Sequence, residues 1–247
     1  PYSPNCSLWF DHHVSNSSKK NINGAFDIAP SAAGVIYTYY LNKGKIDHRY
    51  EDLVYHTDII DSADLNQDQV KYPENYPYIL LSMTIKNKAY KDIAYWNRLV
   101  DLLKGTDIDL ILENPEIKQR CDEVILENSV YEKHLIAHTK IERNISITDF
   151  RGLDSVPDGN RFLTYSLFPE CNTSIKIRFH DPGKKQVLLS VGHNIFNKGG
   201  HVNIGNLLSK FGGGGHAGAG GCTLETDTAD RDIQQVIELL SQNKKES

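Results

Sequence analysis

The chain has 247 residues, with 27 Lys and Arg against 32 Asp and Glu, a formal net charge of −5. That length allows one large domain or two of ordinary size, and 39% hydrophobic with 24% charged residues is a soluble globular composition. The charge excludes a global positive field for long nucleic acid, leaving room for a local basic groove. No apolar run reaches the roughly 18 residues of a membrane span, and no basic-then-apolar leader opens the chain.

In chain order, Cys6-Ser7-Leu8-Trp9-Phe10 reads as a buried strand that stops at Asp11. A polar loop rich in Ser, Asn and Lys follows, from Ser15 to Asn23. Ser31 ahead of Ala32, Ala33, Val35 and Ile36 predicts an N-capped helix. Further helices are expected over His48 to about Ile60 and over Tyr90 to Leu103. Pro115 begins the longest helical pattern, in which Ile117, Cys121, Val124, Asn128, Tyr131 and Leu135 form one stripe at alternating spacings of four and three. Beyond Lys140 the texture alternates, predicting strands at 145–148, Phe162 to Leu167, 174–179 and 187–191, with a turn at Asp181-Pro182-Gly183. Ala229 to Gln242 carries Ile233, Val236, Ile237 and Leu240 at amphipathic helical spacing. The expected boundary lies near 140–146, giving domains 1–140 and 141–247. The fold class is α/β, a partial doubly wound parallel-sheet first domain plus a second, smaller mixed-sheet α/β domain.

Cys6, Cys121, Cys171 and Cys222 are scattered with no CxxC pair. This argues against a zinc knuckle or disulfide framework and for a reduced, cytoplasmic protein. The four Asn-x-Ser/Thr triplets, at Asn5, Asn16, Asn144 and Asn172, are read as chance in an Asn-rich chain. The chain opens on Pro1 and its only methionine is Met83, which suggests processing or truncation.

Two constellations carry chemistry. Asp11-His12-His13 stands at the end of an apolar strand, where ligand sites collect in parallel sheets. Asp and His suit divalent metals such as manganese. Adjacent His side chains diverge on extended backbone, so one can ligate while the other faces substrate and the Asp orients a ring. A solvated loop with two surface histidines is the plain alternative. Asp58-Ile59-Ile60-Asp61-Ser62-Ala63-Asp64 adds acidic groups at a helix end, a placement that favours a nearby cation. The second constellation is Phe211-Gly212-Gly213-Gly214-Gly215-His216-Ala217-Gly218-Ala219-Gly220-Gly221. Glycine amides approach an anion closely, and His216 can donate to a phosphate or a base. The small residues from Ala217 to Gly221 predict a tightly packed helix start or a close backbone crossing. No Gly-Lys-Ser/Thr follows, so this is not a Walker loop. A flexible linker would carry Ser and charge.

Together these residues resemble the DHH phosphoesterase family. Its Asp-His-His triplet is Asp11-His12-His13, and its C-terminal signature, of the type Gly-Gly-Gly-His-x-x-Ala-Ala-Gly, is Gly213 to Gly221 with Gly220 in place of the second Ala. The two motifs stand in the family's order about 200 residues apart, and Arg178-Phe179, Gly192-His193-Asn194 and Val202 to Gly205 also look like that C-terminal domain. The resemblance implies hydrolysis of phosphoester or phosphoanhydride bonds with two Mn2+ ions, or Mg2+ in their place, where paired metals activate a bridging water. It implies His12 as a metal ligand, Asp11 supporting or also ligating, and His13 facing the substrate phosphate. Asp61-Ser62-Ala63 matches the family's fourth motif better than Asp58-Ile59-Ile60, so Asp61 is the expected ligand and Asp58 the alternative. Arg178 and His216 would grip phosphate across an interdomain cleft, with Gly213, Gly214, Gly215 and, more weakly, Asn194 beside them. His193 and His201 are read as structural or surface residues.

The family's upstream Asp motifs have no counterpart in the ten residues before Asp11, none of which is Asp, Glu or His. The chain is therefore expected to bind manganese weakly and to be nearly inactive on its own. The implied substrates are short oligonucleotides and cyclic or linear dinucleotides, with polyphosphate as the rival. A non-catalytic nucleotide- or RNA-binding protein is the reading from another class. No membrane partner is expected, and a homodimer is compatible with the sequence.

Overall fold

In the computed structural model, which describes residues 5–13, 23–86 and 92–243, the chain is a two-domain α/β protein. The first part opens with strands β1 (Trp9–Asp11) and β2 (Gly24–Phe26), paired in parallel with Trp9 beside Gly24 and Asp11 beside Phe26. The strand is shorter and later than expected, since Leu8 is exposed and pairing starts at Trp9. Gly24 is obligatory: its φ is +139°, and a Cβ there would collide with the Trp9 backbone. Most of the expected polar loop, residues 14–22, lies outside the described residues.

Helices then follow: α1 (Ala32–Asn42), α2 (Glu51–Asp61), α3 (Gln67–Lys71), α4 (Pro77–Met83), α5 (Ile93–Leu103), α6 (Ile108–Leu112) and α7 (Pro115–His138). Ser31 caps α1 as its sequence predicts, accepting from the Gly34 N–H at 3.1 Å. The six positions of the α7 stripe are its buried residues. Ile117, Cys121 and Val124 pack with Leu80, Leu81, Tyr95, Leu99 and Ile111 as the core of the helical part. Tyr131 and Leu135, two turns further on, pack with Val70, Phe150 and Leu163. One helix thus contributes to two cores, and its second half forms the joint.

The chain passes from α7 into β3 (Thr139–Glu142), β4 (Ile145–Asp149), α8 (Leu163–Leu167), β5 (Thr173–Phe179), β6 (Gln186–His193), α9 (Ile204–Ser209), β7 (Gly214–His216), β8 (Ala219–Glu225) and α10 (Thr226–Gln242). These strands form one mixed sheet in the order β3-β4-β5-β6-β8-β7, with β4 and β5 parallel and the other neighbours antiparallel. The apolar rows of the sheet bury one face: Ile175, Ile177, Leu189, Val191, Cys222 and Leu224 pack with Ile204, Leu207, Ile233, Val236 and Ile237 of α9 and α10. Full burial of each such side chain contributes about 1.5–3 kcal/mol.

Two expectations for this half are corrected. Phe162 to Leu167 is not a strand; residues 163–167 form α8, with Leu163 buried in the joint. A six-residue apolar alternation also suits a short helix, and packing against α7 decides for the helix. The glycine cluster begins no helix. It is the β7–β8 hairpin, with Gly214 opposite Gly221 and His216 opposite Ala219. The close backbone crossing does occur: a Cβ on Gly220 would overlap the Gly214 carbonyl across the hairpin, and Gly205, inside α9, lies as close against the Gly215 carbonyl.

Candidate active site

The two parallel strands end at one edge, so the residues after β1 and after β2 meet there. Asp11 is 7% exposed. Its Oδ1 accepts three hydrogen bonds, from the N–H groups of His12 (2.7 Å) and His13 (2.9 Å) and from Nδ1 of His13 (2.7 Å). The carboxylate folds the chain back on itself and presents both rings. His13 is mostly exposed, with its Nδ1 held by Asp11.

His12 is held from the other side. Its Nδ1 donates to the Ala29 carbonyl, after β2, at 2.9 Å. A neutral ring bonded in this way carries its lone pair on Nε2. That Nε2 faces Asp61 Oδ2 at 3.3 Å. A lone pair and a carboxylate oxygen repel unless a cation, a proton or a metal ion, joins them. The separation also suits two adjacent ligands of one ion, about 3 Å apart when each bond is about 2.1 Å at a right angle.

Asp61 is the last residue of α2, and the helix closes tightly after it. Ser62, Ala63 and Asp64 N–H groups return to the carbonyls of Asp58, Ile60 and Ile59, and Ala63 takes a φ of +57° where glycine is usual. That left-handed turn costs on the order of 1 kcal/mol. Asp58, three residues earlier, does other work. Its Oδ1 accepts from Ser31 Oγ at 2.5 Å, tying α2 to the capped start of α1. Among the described residues no group of three or more His, Cys, Asp or Glu side chains is placed to hold a metal ion. His12 and Asp61 fit as two ligands of such an ion. Its other positions fall to water, substrate oxygens or donors beyond the described residues.

A cavity of about 630 Å³ lies over the six-stranded sheet and reaches the turn that follows Asp61. Ala63, two residues past Asp61, lines it together with Tyr131 and Leu135 of α7, Arg161 and Tyr165 around α8, and the hairpin from His216 through Gly220. Its floor is the sheet face opposite α9 and α10. Register sets Lys176, Ser190 and Gly221 abreast, and likewise Ser174, Gly192 and Ala219. Gly192 leaves room for the Tyr165 hydroxyl, which a Cβ would strike and to which Ser174 Oγ donates at 3.3 Å.

Of the expected second-domain residues, His216 lines the cavity, whereas Gly213, Gly214 and Gly215 are not among its walls and Gly218 to Gly220 are. Gly213 is held close to Cys222, and Gly215 to the Ala219 carbonyl. Arg178 shares a face of β5 with Lys176 but lies one pleat beyond the wall. Asn194 leaves the candidate set. It is 2% exposed; its Nδ2 donates to the Cys171 carbonyl, and its Oδ1 accepts from the N–H groups of Phe196 and Asn197. His193 also lines the cavity, with Nε2 donating to the Val202 carbonyl at 2.8 Å, and the exposed His201 is tied to Asn243 through its backbone. The sequence reasoning missed Arg161 and Lys176. For Lys176 the signal was the period-two alternation through 174–179, which puts its side chain on the face away from the apolar core.

No family model matches the chain, and no curated protein matches it. Among solved structures, it is similar to a pGpG-specific phosphodiesterase (PggH) from Vibrio cholerae, with 28% identity and a TM-score of 0.85, covering 99% of this chain and 82% of that one. It shares its fold with an exopolyphosphatase-related protein from Bacteroides fragilis, with 15% identity and a TM-score of 0.54, covering 95% of this chain and 64% of that one.

Proposed function

We propose that the chain, a hydrolase of the DHH phosphoesterase type, cleaves the phosphodiester bond of short nucleotides, linear dinucleotides first, with bound Mn2+. The observation that carries the reading is the meeting of His12 Nε2 and Asp61 Oδ2 at 3.3 Å beside a cavity whose far walls bear Arg161, Lys176 and His216. The likeness to a pGpG-specific phosphodiesterase supports a dinucleotide over polyphosphate.

His12 and Asp61 would hold the metal, which when bound supplies an acidified water and a clamp on phosphoryl oxygens. Asp11 orients both histidines, and the Ala29 carbonyl keeps the proton of His12 on Nδ1 and its lone pair on Nε2. His13, its Nδ1–H held by Asp11, would face a non-bridging phosphate oxygen with Nε2, donating to it as the imidazolium. His216 would contact phosphate from the hairpin side, and Arg178 would attract the substrate from just outside the wall.

The test is a parallel assay of pGpG, a short oligoribonucleotide, a cyclic dinucleotide and polyphosphate with manganese and with chelator. Metal-dependent cleavage of pGpG ahead of the others is the expected result. Polyphosphate as the best substrate would replace this reading with an exopolyphosphatase. Binding of nucleotide with no turnover of any substrate would replace it with a binding protein.

A further inference from the structure

The outward face of α7 carries a second periodic row. The buried stripe of this helix is Ile117, Cys121, Val124, Asn128, Tyr131 and Leu135, at spacings of four and three. Two residues on, about 200° round the helix, stand Gln119, Glu123, Leu126, Val130, Lys133 and Ala137, at the same spacings and all exposed. Leu126 at the centre is 66% exposed and Val130 41%, with Ile136 at 59% on the flank. Single exposed apolar residues are ordinary. A heptad-spaced row on the face opposite the core, apolar at its middle, is the pattern of a helix seam.

The charges on this face are sorted along it. Asp122 and Glu123 stand in the first half, Lys133 and His134 in the second. All four lie more than a turn inside the helix, so the terminal dipoles do not account for the sorting. Asp122 and Lys133 take part in none of the ion pairs among the described residues, whereas charges on the flanks of α7 are paired within the chain: Glu116 with Arg98, Arg120 with Asp92 and Glu127 with Lys86. Lys118, at the edge of the row, makes no ion pair among the described residues.

A row that is acidic in one half and basic in the other complements a second copy of itself only when that copy runs antiparallel. A twofold axis between Leu126 and Val130 sets Leu126 against the partner's Val130 and Gln119 against the partner's Ala137. On one side of the seam Asp122 meets the partner's Lys133, and on the other Glu123 meets the partner's His134; symmetry makes each contact twice. We propose that α7 is the seam of a homodimer, two copies packed antiparallel through Leu126 and Val130 with crossed Asp122–Lys133 ion pairs. The row from Gln119 to Ala137 is about 27 Å long. One helix face of that length falls short of the roughly 800 Å² per partner of a standard stable interface, so the dimer dissociates on dilution. Tyr131 and Leu135 line the cleft from the opposite face of α7, and dimerisation is independent of the substrate proposed above.

Sedimentation of the full chain over a concentration series is the test. The wild type is expected to pass from monomer to dimer between about 1 and 200 µM. Leu126→Glu should raise the dissociation constant by about 30-fold or more, with circular dichroism and urea midpoint unchanged. Asp122→Lys and Lys133→Asp should each weaken the dimer, and the double variant should recover it, because the two charges exchange across the seam. These swaps sit at exposed positions and read the seam even where Leu126→Glu does not fold. A wild type that stays monomeric at every concentration overturns the proposal, as does a dimer that Leu126→Glu leaves intact. A double variant weaker than either single swap overturns the antiparallel register.

Discussion

Asp58 and Asp61 show what three residues decide at a helix end. Both are acidic, and both sit in the last turn of α2. The motif resemblance favours Asp61, and the fold gives the physical reason: the partner of Asp58 is Ser31, distant in sequence, and that of Asp61 is His12. Asp61→Asn is expected to lower manganese affinity by about 100-fold or more, measured by metal titration, with little change in urea midpoint. Asp58→Ala should keep metal affinity within a few-fold and lose about 1–3 kcal/mol of stability, the range for a partly buried hydrogen bond to a charged group. The reverse pattern would exchange their roles. The thiols make a second residue-scale test. Burial pushes Cys121, Cys171 and Cys222 up to about 11, while Cys6 is exposed. A thiol reagent at neutral pH should label Cys6 alone in the native protein and all four cysteines after unfolding; rapid labelling of a second native thiol would contradict that burial.

At the scale of elements, strong periodicity was readable and short ambiguous runs were not. The stripe of α7 and the apolar face of α10 follow from spacing alone, because a long helix accumulates one face over many turns. Residues 163–167 did not, since five residues carry too little periodicity and contacts with α7 and α3 decide the outcome. The glycine hairpin was legible as an ordered element but not as strands, because its glycines are chosen by contacts distant in sequence. Gly205→Ala should therefore cost about 2–3 kcal/mol, for its Cβ meets the backbone of Gly215, whereas Gly214→Ala, with open space around it, should stay within about 0.5 kcal/mol. Urea unfolding of both variants measures the contrast, and equal losses would contradict the crossing.

Arg151 joins another pair of elements, bridging Asp149 at the end of β4 to Asp230 on α10, each at 2.7 Å. Burial raises the Asp149 carboxyl, but the hydrogen bonds of Arg151 outweigh it and hold the group below its ordinary 3.8. A depressed carboxyl stabilises the fold above its unfolded value, and that contribution fades as pH falls through the folded value. Arg151→Met should thus be less stable than the wild type at pH 6, with the gap closing below about pH 4. A gap that widens in acid would reverse the sign of this account.

For the whole molecule, the order of the two motifs, Asp11-His12-His13 early and the glycine hairpin late, was enough to indicate two domains facing one cleft. What lay beyond the sequence was which side chains that cleft gathers. Arg161 follows an irregular loop, Lys176 interrupts an apolar strand, and neither belongs to a motif; the pairing of β5 with β6 and the docking of α8 bring them together. Asn194 was lost for the same reason: its sequence neighbours look like a binding loop, but its carboxamide is used up in holding the turn after β6. The central claim is that His12 and Asp61 hold the ion that hydrolyses a phosphodiester. Manganese-dependent cleavage of pGpG by the wild type and Asp61→Asn, side by side, tests it most directly. The account predicts release of mononucleotide that stops with chelator and falls by about 100-fold or more in Asp61→Asn, whatever the absolute rate; cleavage that survives either chelation or the substitution would contradict it.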